Sequence, residues 1–175
     1  MNISRRHLLA TVPLLPVALL GCAATTVNGV TTVTLNLATL QNYATAVKNG
    51  VATLLSIPEI SAAIGAAKVA VINAVVADMA AQVVALNTTN NGAATLTFTA
   101  TSVPAALSAF ETDAKAIMAD VVVAATSLSG SLASNIITTV DALQTILVLG
   151  EAVSNGVGAT LPTMSEPQAL KILGA

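Results

Sequence analysis

Side chains that could move a proton, attack a carbonyl or hold a metal are scarce in this chain. Its 175 residues contain one histidine, His7, and one cysteine, Cys22. Both lie in or beside an N-terminal stretch with the make-up of a removable leader, so the remainder has no imidazole. Ser-His-Asp and Cys-His nucleophilic catalysis need that imidazole as their base, and both are excluded. One cysteine allows no intramolecular disulfide and no Cys-x-x-Cys zinc site. The Glu-x-x-His pairs of a di-metal bundle are missing as well.

Carboxylates and lysines are what remain. Asp113 and Asp120 stand seven residues apart on one helical face with Glu111 beside them, a pattern that suits a hard cation or a solvated acidic surface. Lys68 with a carboxylate such as Asp78 suits a structural ion pair inside a bundle. An activated lysine would need burial and a matching partner. Asn155-Gly156-Val157-Gly158 ends a helix rather than opening one, so it is no phosphate cradle. No catalytic, cofactor-binding or metal-ligating residue is assigned, no cofactor is expected, and the chain reads as a non-enzyme.

The elements around these residues begin with an address. Met1 to Arg6 carries Arg5 and Arg6 and no acid, Leu8 to Leu20 has no charge, and small residues run from Gly21 to Ala24. A basic start, a short apolar middle and a small-residue exit make a secretory signal. The apolar run is too short for a membrane span and is interrupted by Pro13 and Pro16. Ser4-Arg5-Arg6-His7-Leu8-Leu9 resembles the twin-arginine export motif, with Leu in place of the usual Phe and Ala10 in place of the usual Lys, which leaves the general secretory route open. Leu19-Leu20-Gly21-Cys22 resembles the lipobox of bacterial lipoproteins. That resemblance implies that Cys22 is alkylated by diacylglycerol and becomes the new N-terminus, anchoring a domain that does not itself span the bilayer. Ala23 after the cysteine resembles the outer-membrane sorting pattern. Cleavage by a conventional peptidase after Ala23 or Ala24 is the alternative.

From Cys22 onward 154 residues remain, enough for one domain with a core. Four lysines (Lys48, Lys68, Lys115, Lys171) face eight acids, a net charge of −4. A chain without a basic patch is not built for nucleic acid. With only Tyr43, Phe98 and Phe110 as aromatics it has no stacking platform. So apolar a composition stays soluble only by burying much of itself inside or between subunits.

Periodicity then places the helices. Leu37, Leu40, Ala44, Val47, Val51 and Leu54 form one stripe behind the N-cap Asn36, and Asn49-Gly50 weakens this helix without ending it. Ser56-Ile57-Pro58-Glu59 reads as a capping box for a second helix, from 57 to about 86. That helix is apolar on more than one stripe and is expected to be buried on most sides. Lys68 and Asp78 interrupt it as a membrane span. The third, opened by Ser102-Val103-Pro104, carries Val103, Leu107, Phe110, Ala114, Ile117, Val121, Ala124 and Leu128 inward, with Glu111 and Lys115 as an i,i+4 pair. After Ser129-Gly130-Ser131 the fourth presents Leu132, Ile136, Val140, Leu143 and Leu147, and stops at Asn155-Gly156. The longest uncharged helical candidate, Val121 to Val140, is broken by Ser129-Gly130-Ser131 and holds seven Ser or Thr residues, which argues against a span.

The connection from 87 to 101 is long for a bundle turn. Asn90-Asn91-Gly92 reads as a turn, and 94–101 alternates like a strand. Thr31-Thr32-Val33-Thr34-Leu35 alternates similarly, so the two either pair as a small ribbon on the helices or form ordered coil. A short last helix capped by Ser165 could dock Leu170 and Leu173, or the tail could fray.

These elements give an all-α class: an antiparallel four-helix bundle with room for a two-stranded β-ribbon. The organisation is signal peptide 1–21, anchor and extended segment 22–36, bundle 37–156 and tail 157–175. The expected role is that of an exported, lipid-anchored, non-enzymatic envelope protein on the periplasmic side of a membrane. Its expected partners are membrane lipid through Cys22 and either a second copy or an envelope protein. The alternative is a carrier of an apolar ligand, with the 87–101 connection as lid, or a membrane-perturbing bundle.

Overall fold

A computed structural model describes residues 22–128, 134–155 and 164–175. The chain is mostly helical with a three-stranded antiparallel sheet. Strands β1 (Cys22–Val27), β2 (Val30–Asn36) and β3 (Thr95–Thr99) lie in the order β1-β2-β3. The anticipated pairing of 31–35 with 94–101 is present, with Val33 opposite Phe98 and Leu35 opposite Leu96. Val33, Leu35 and Phe98 turn into the core while Thr34 and Thr97 bond side by side on the outer face. The all-α class gives way to helices plus this sheet, and the ribbon gains a third strand. Asn28 (φ 51°) and Gly29 (φ 78°) make the primed turn that folds β1 back on β2.

Helix α1 (Leu37–Leu55) starts where Asn36 Oδ1 accepts from the Ala38 N–H at 2.9 Å, as a capping side chain should. Every residue of its anticipated stripe is buried. Ser56 does not cap the next helix. Its hydroxyl donates back to the Thr53 carbonyl at 2.7 Å, finishing α1, and α2 (Pro58–Ile64) begins after Ile57 without a side-chain cap. The anticipated single helix from 57 is broken at Gly65, whose φ of 87° and ψ of 144° only glycine adopts without strain. Helix α3 (Ala66–Thr89) follows.

Helix α4 (Ala105–Ile117) runs into one π-helical turn, Met118–Val122, and then α5 (Val123–Ser127). The wider turn accommodates one extra residue. The buried series Leu107, Phe110, Ala114, Ile117, Val121 therefore continues through Val122 and Ala125, while Ala124 and Leu128 are only partly buried. Helix α6 (Ser134–Asn155) is covered on several sides, by α1, α4 and α7 (Glu166–Leu173). Ala142, Leu143, Thr145, Ile146, Leu147 and Leu149 are all buried. Its inward set matches the expectation at Val140, Leu143 and Leu147. Ile136 is only partly buried, and Leu132 lies outside the described residues.

Helix α7 docks on α1 and α6. Ala169 and Leu173 are buried, and Asn49 Nδ2 donates to the carbonyls of Leu173 at 2.9 Å and Gly174 at 3.2 Å. Gly50 leaves room for this contact: a Cβ there would stand 2.9 Å from Leu173 Cδ2. The tail from 164 onward is thus part of the packed body.

Candidate functional site: the face of the long helix and the groove beside it

Helix α3 was expected to be buried on most sides, and it is buried along one stripe only. Its core stripe is Ile72, Val76, Met79, Val83 and Leu86, set against α1 and α4. Only 28% of its most apolar 18-residue stretch is buried. The outward face is nearly all alanine (Ala70, Ala74, Ala77, Ala81, Ala85), edged by Val71 at 60% and Val84 at 63% exposure. A solvent-facing helix ordinarily shows charge on that side; here Asp78 alone supplies it. The break at Gly65 puts Lys68 in the first turn of the helix. Among the described residues, α3 is the one helix long and apolar enough to cross a membrane by length and composition, with Lys68 and Asp78 both on it.

The acids and lysines singled out from sequence lie along the seam between α3 and the α4–π segment, which run antiparallel. Lys68 pairs with Asp120 at 2.7 Å, not with Asp78, and the pair is largely solvent-exposed. Asp113 Oδ2 accepts from Gln82 Nε2 at 2.7 Å. Burial raises the Asp113 pKa, an effect opposed by the Gln82 hydrogen bond and reinforced by the negative charge of Asp78. Glu111 and Lys115 form the anticipated i,i+4 pair. Asp113 and Asp120 therefore each answer a different residue of α3. Among the described residues no group of three or more His, Cys, Asp or Glu side chains is placed to hold a metal. The seam is a structural polar contact.

One acid unmarked in the sequence stands out. Glu166, in the first turn of α7, is 8% exposed and lies beside Tyr43, itself buried in α1, whose hydroxyl favours the ionised carboxylate. Burial raises the Glu166 pKa, and the tyrosine partly offsets this. Arg5 and Arg6 lie outside the described residues, as does the lipobox before Cys22. Cys22 opens β1 with its backbone opposite Leu35.

Beside the alanine face, between α1 and α3, runs an open groove of about 490 Å³. Ala44, Lys48, Ala80 and Val83 are among its walls, and Gly92, Ala93 and Ala94 contribute from the turn after α3. Helix α3 ends beside the start of α1, where the Leu37 N–H donates to the Ala94 carbonyl at 3.0 Å. The size falls within the range of small-molecule sites. The sequence offered a carrier site lidded by 87–101 but not its place between α1 and α3, because Lys48 and Val84 carry no motif and meet only through the helix pairing. No family model, curated protein or solved structure matches the chain.

Proposed function

We propose that this chain is an exported, lipid-anchored, non-enzymatic envelope protein. In this reading it is an antiparallel four-helix bundle of α1, α3, α4–α5 and α6, held at the membrane through Cys22 and acting by self-association. The observation that carries the reading is the alanine face of α3, apolar along a helix of 24 residues and left uncovered. Small side chains let two helices approach near the lower end of the usual separation of about 8–10 Å. A single helix face, roughly 36 Å long and 10 Å wide, falls short of the roughly 800 Å² per partner of a standard interface. Association in free solution is then weak. Anchored copies share one surface, where effective concentration makes up the difference.

The test is thiol crosslinking in native cells. Lipidation consumes the thiol of Cys22, so a new cysteine is the only free one. Ala77→Cys is expected to give a crosslinked dimer, and Thr112→Cys, on the exposed side of α4, is not. Equal crosslinking from both positions would refute an α3 interface. The mass of the N-terminal peptide tests the anchor: a diacylglyceryl-modified Cys22 is expected, and a free Ala24 or Thr25 N-terminus overturns it. A second reading, carriage of an apolar ligand, is favoured by the α1–α3 groove.

A further inference from the structure

We propose that the α1–α3 groove binds a single-chain amphiphile with an anionic head, the charge at Lys48 and the chain directed toward Leu37 and Ala94. The inference rests on the carrier reading and names its ligand class. Along α1 the groove takes one stripe, Leu37, Gln41, Ala44 and Lys48, at spacings of four, three and four. At 1.5 Å rise per residue it is roughly 16 Å long. The turn bearing Ala93 and Ala94 closes the end at Leu37, where the Leu37–Ala94 hydrogen bond fixes the wall. Leu37, Ala38, Ala93 and Ala94 give that end its apolar wall, with Asn87 and Thr88 on the α3 side, and the charge stands at the other end.

The polar atoms along the groove divide in two. The hydroxyls of Thr45 and Thr88 donate to their own helix, to the carbonyls of Gln41 at 3.0 Å and Val84 at 2.9 Å, and Asn49 is occupied by the end of α7. The side chains of Gln41, Lys48 and Asn87 have no hydrogen bond or ion pair among the described residues. Lys48 is the only charged residue of the lining, and no acid stands there to neutralise it. In a chain of net negative charge, this is one cationic spot at the mouth of an elongated, mainly apolar groove. A cationic head is repelled there, and a neutral one gains no ion pair with the exposed Lys48. Free inorganic phosphate would leave the apolar end empty. A carboxylate head and a phosphate head both satisfy Lys48.

The experiment titrates the full chain with dodecanoate, dodecyl phosphate and dodecanol, following the amide resonances of Ala80, Ala93 and Ala94. Both anions are expected to bind more tightly than dodecanol. Lys48→Gln should weaken the anions about three- to fivefold, the size of one exposed ion pair, and leave dodecanol unchanged. Tighter binding of one anion then separates a fatty-acid source from a phospholipid one. Ala80→Phe, an exposed change that fills the groove, should abolish binding of all three. If dodecanol binds as well as the anions and Lys48→Gln changes nothing, the charge assignment fails and the carrier reading survives. If none of the three shifts these resonances, both fail.

Discussion

Replacing Tyr43 by Phe removes one oxygen from a buried site and tests how α7 is held. The ring is 1% exposed and stays packed, so no cavity term enters. What is lost is the influence of the hydroxyl on the Glu166 carboxylate, which favours its ionised form. A hydrogen bond to a charged partner is worth about 1.5–3 kcal/mol, and one between neutral partners about 0.5–1.5. The cost of Tyr43→Phe is therefore expected at the lower end of the charged range where Glu166 is ionised, and smaller where it is protonated. At about 2–4 °C per kcal/mol for a chain of this size, the loss is several degrees in Tm. Urea unfolding at a series of pH values reads both limits. In the Glu166→Gln background Tyr43→Phe should cost only the neutral amount. Hydrogen exchange should show α7 opening more readily while α4 is unchanged. A cost under about 0.5 kcal/mol at every pH, below that of even a neutral hydrogen bond, would refute the role given to this pair.

The same site sets a pH dependence in the wild type. Glu166 has a raised pKa, so the folded chain holds this proton more tightly than the unfolded one. The resulting stability is complete below its ordinary 4.5 and is lost as pH climbs through the raised folded value. Glu166→Gln should flatten that part of the profile.

Two further predictions concern the helices around the groove. Asp113 is also raised, from its ordinary 3.8, first by burial, so its contribution too is present at low pH and lost as pH rises through the folded value. Asp113→Asn keeps an acceptor for Gln82 and should flatten the urea midpoint over that window, and an unchanged profile would remove Asp113 as its source. Gly65→Ala places a Cβ on a backbone with φ of 87° and should destabilise by about 1–3 kcal/mol; a gain in both stability and helicity by circular dichroism would mean that α2 and α3 prefer to be continuous.

Where the sequence was legible, it was because one physical signal acted alone. The α1 stripe is regular and its cap is local, so both could be read residue by residue. The α4 seam was legible up to Val121 and slipped afterwards, because the π turn inserts a residue that no periodicity announces. The capping box at Ser56 failed for a related reason: the Ser56 hydroxyl is as close to the end of α1 as to the start of α2, and the earlier helix took it. The pairing of β2 with β3 followed from alternation. The hairpin was signalled by Asn28-Gly29, a dipeptide suited to a primed turn, which was obscured by the leader just before it.

The largest misreading, α3 as an enclosed helix, shows what hydropathy leaves out. Composition measures how apolar a helix is, whereas burial depends on how many neighbours surround it. Helix α6 and helix α3 are both apolar, yet α6 is covered by α1, α4 and α7 while α3 has neighbours on one side. Alanine makes this tolerable, since it favours the helix and exposes little apolar area per residue. The same smallness gives α3 no large side chain to fill the space beside α1, and the groove with Lys48 at its mouth follows from it. An uncovered face and an unfilled groove are thus two consequences of one choice of residue. Enlarging Ala80 should act on the groove and substituting Ala77 on the face, so the two readings are separable on a single helix.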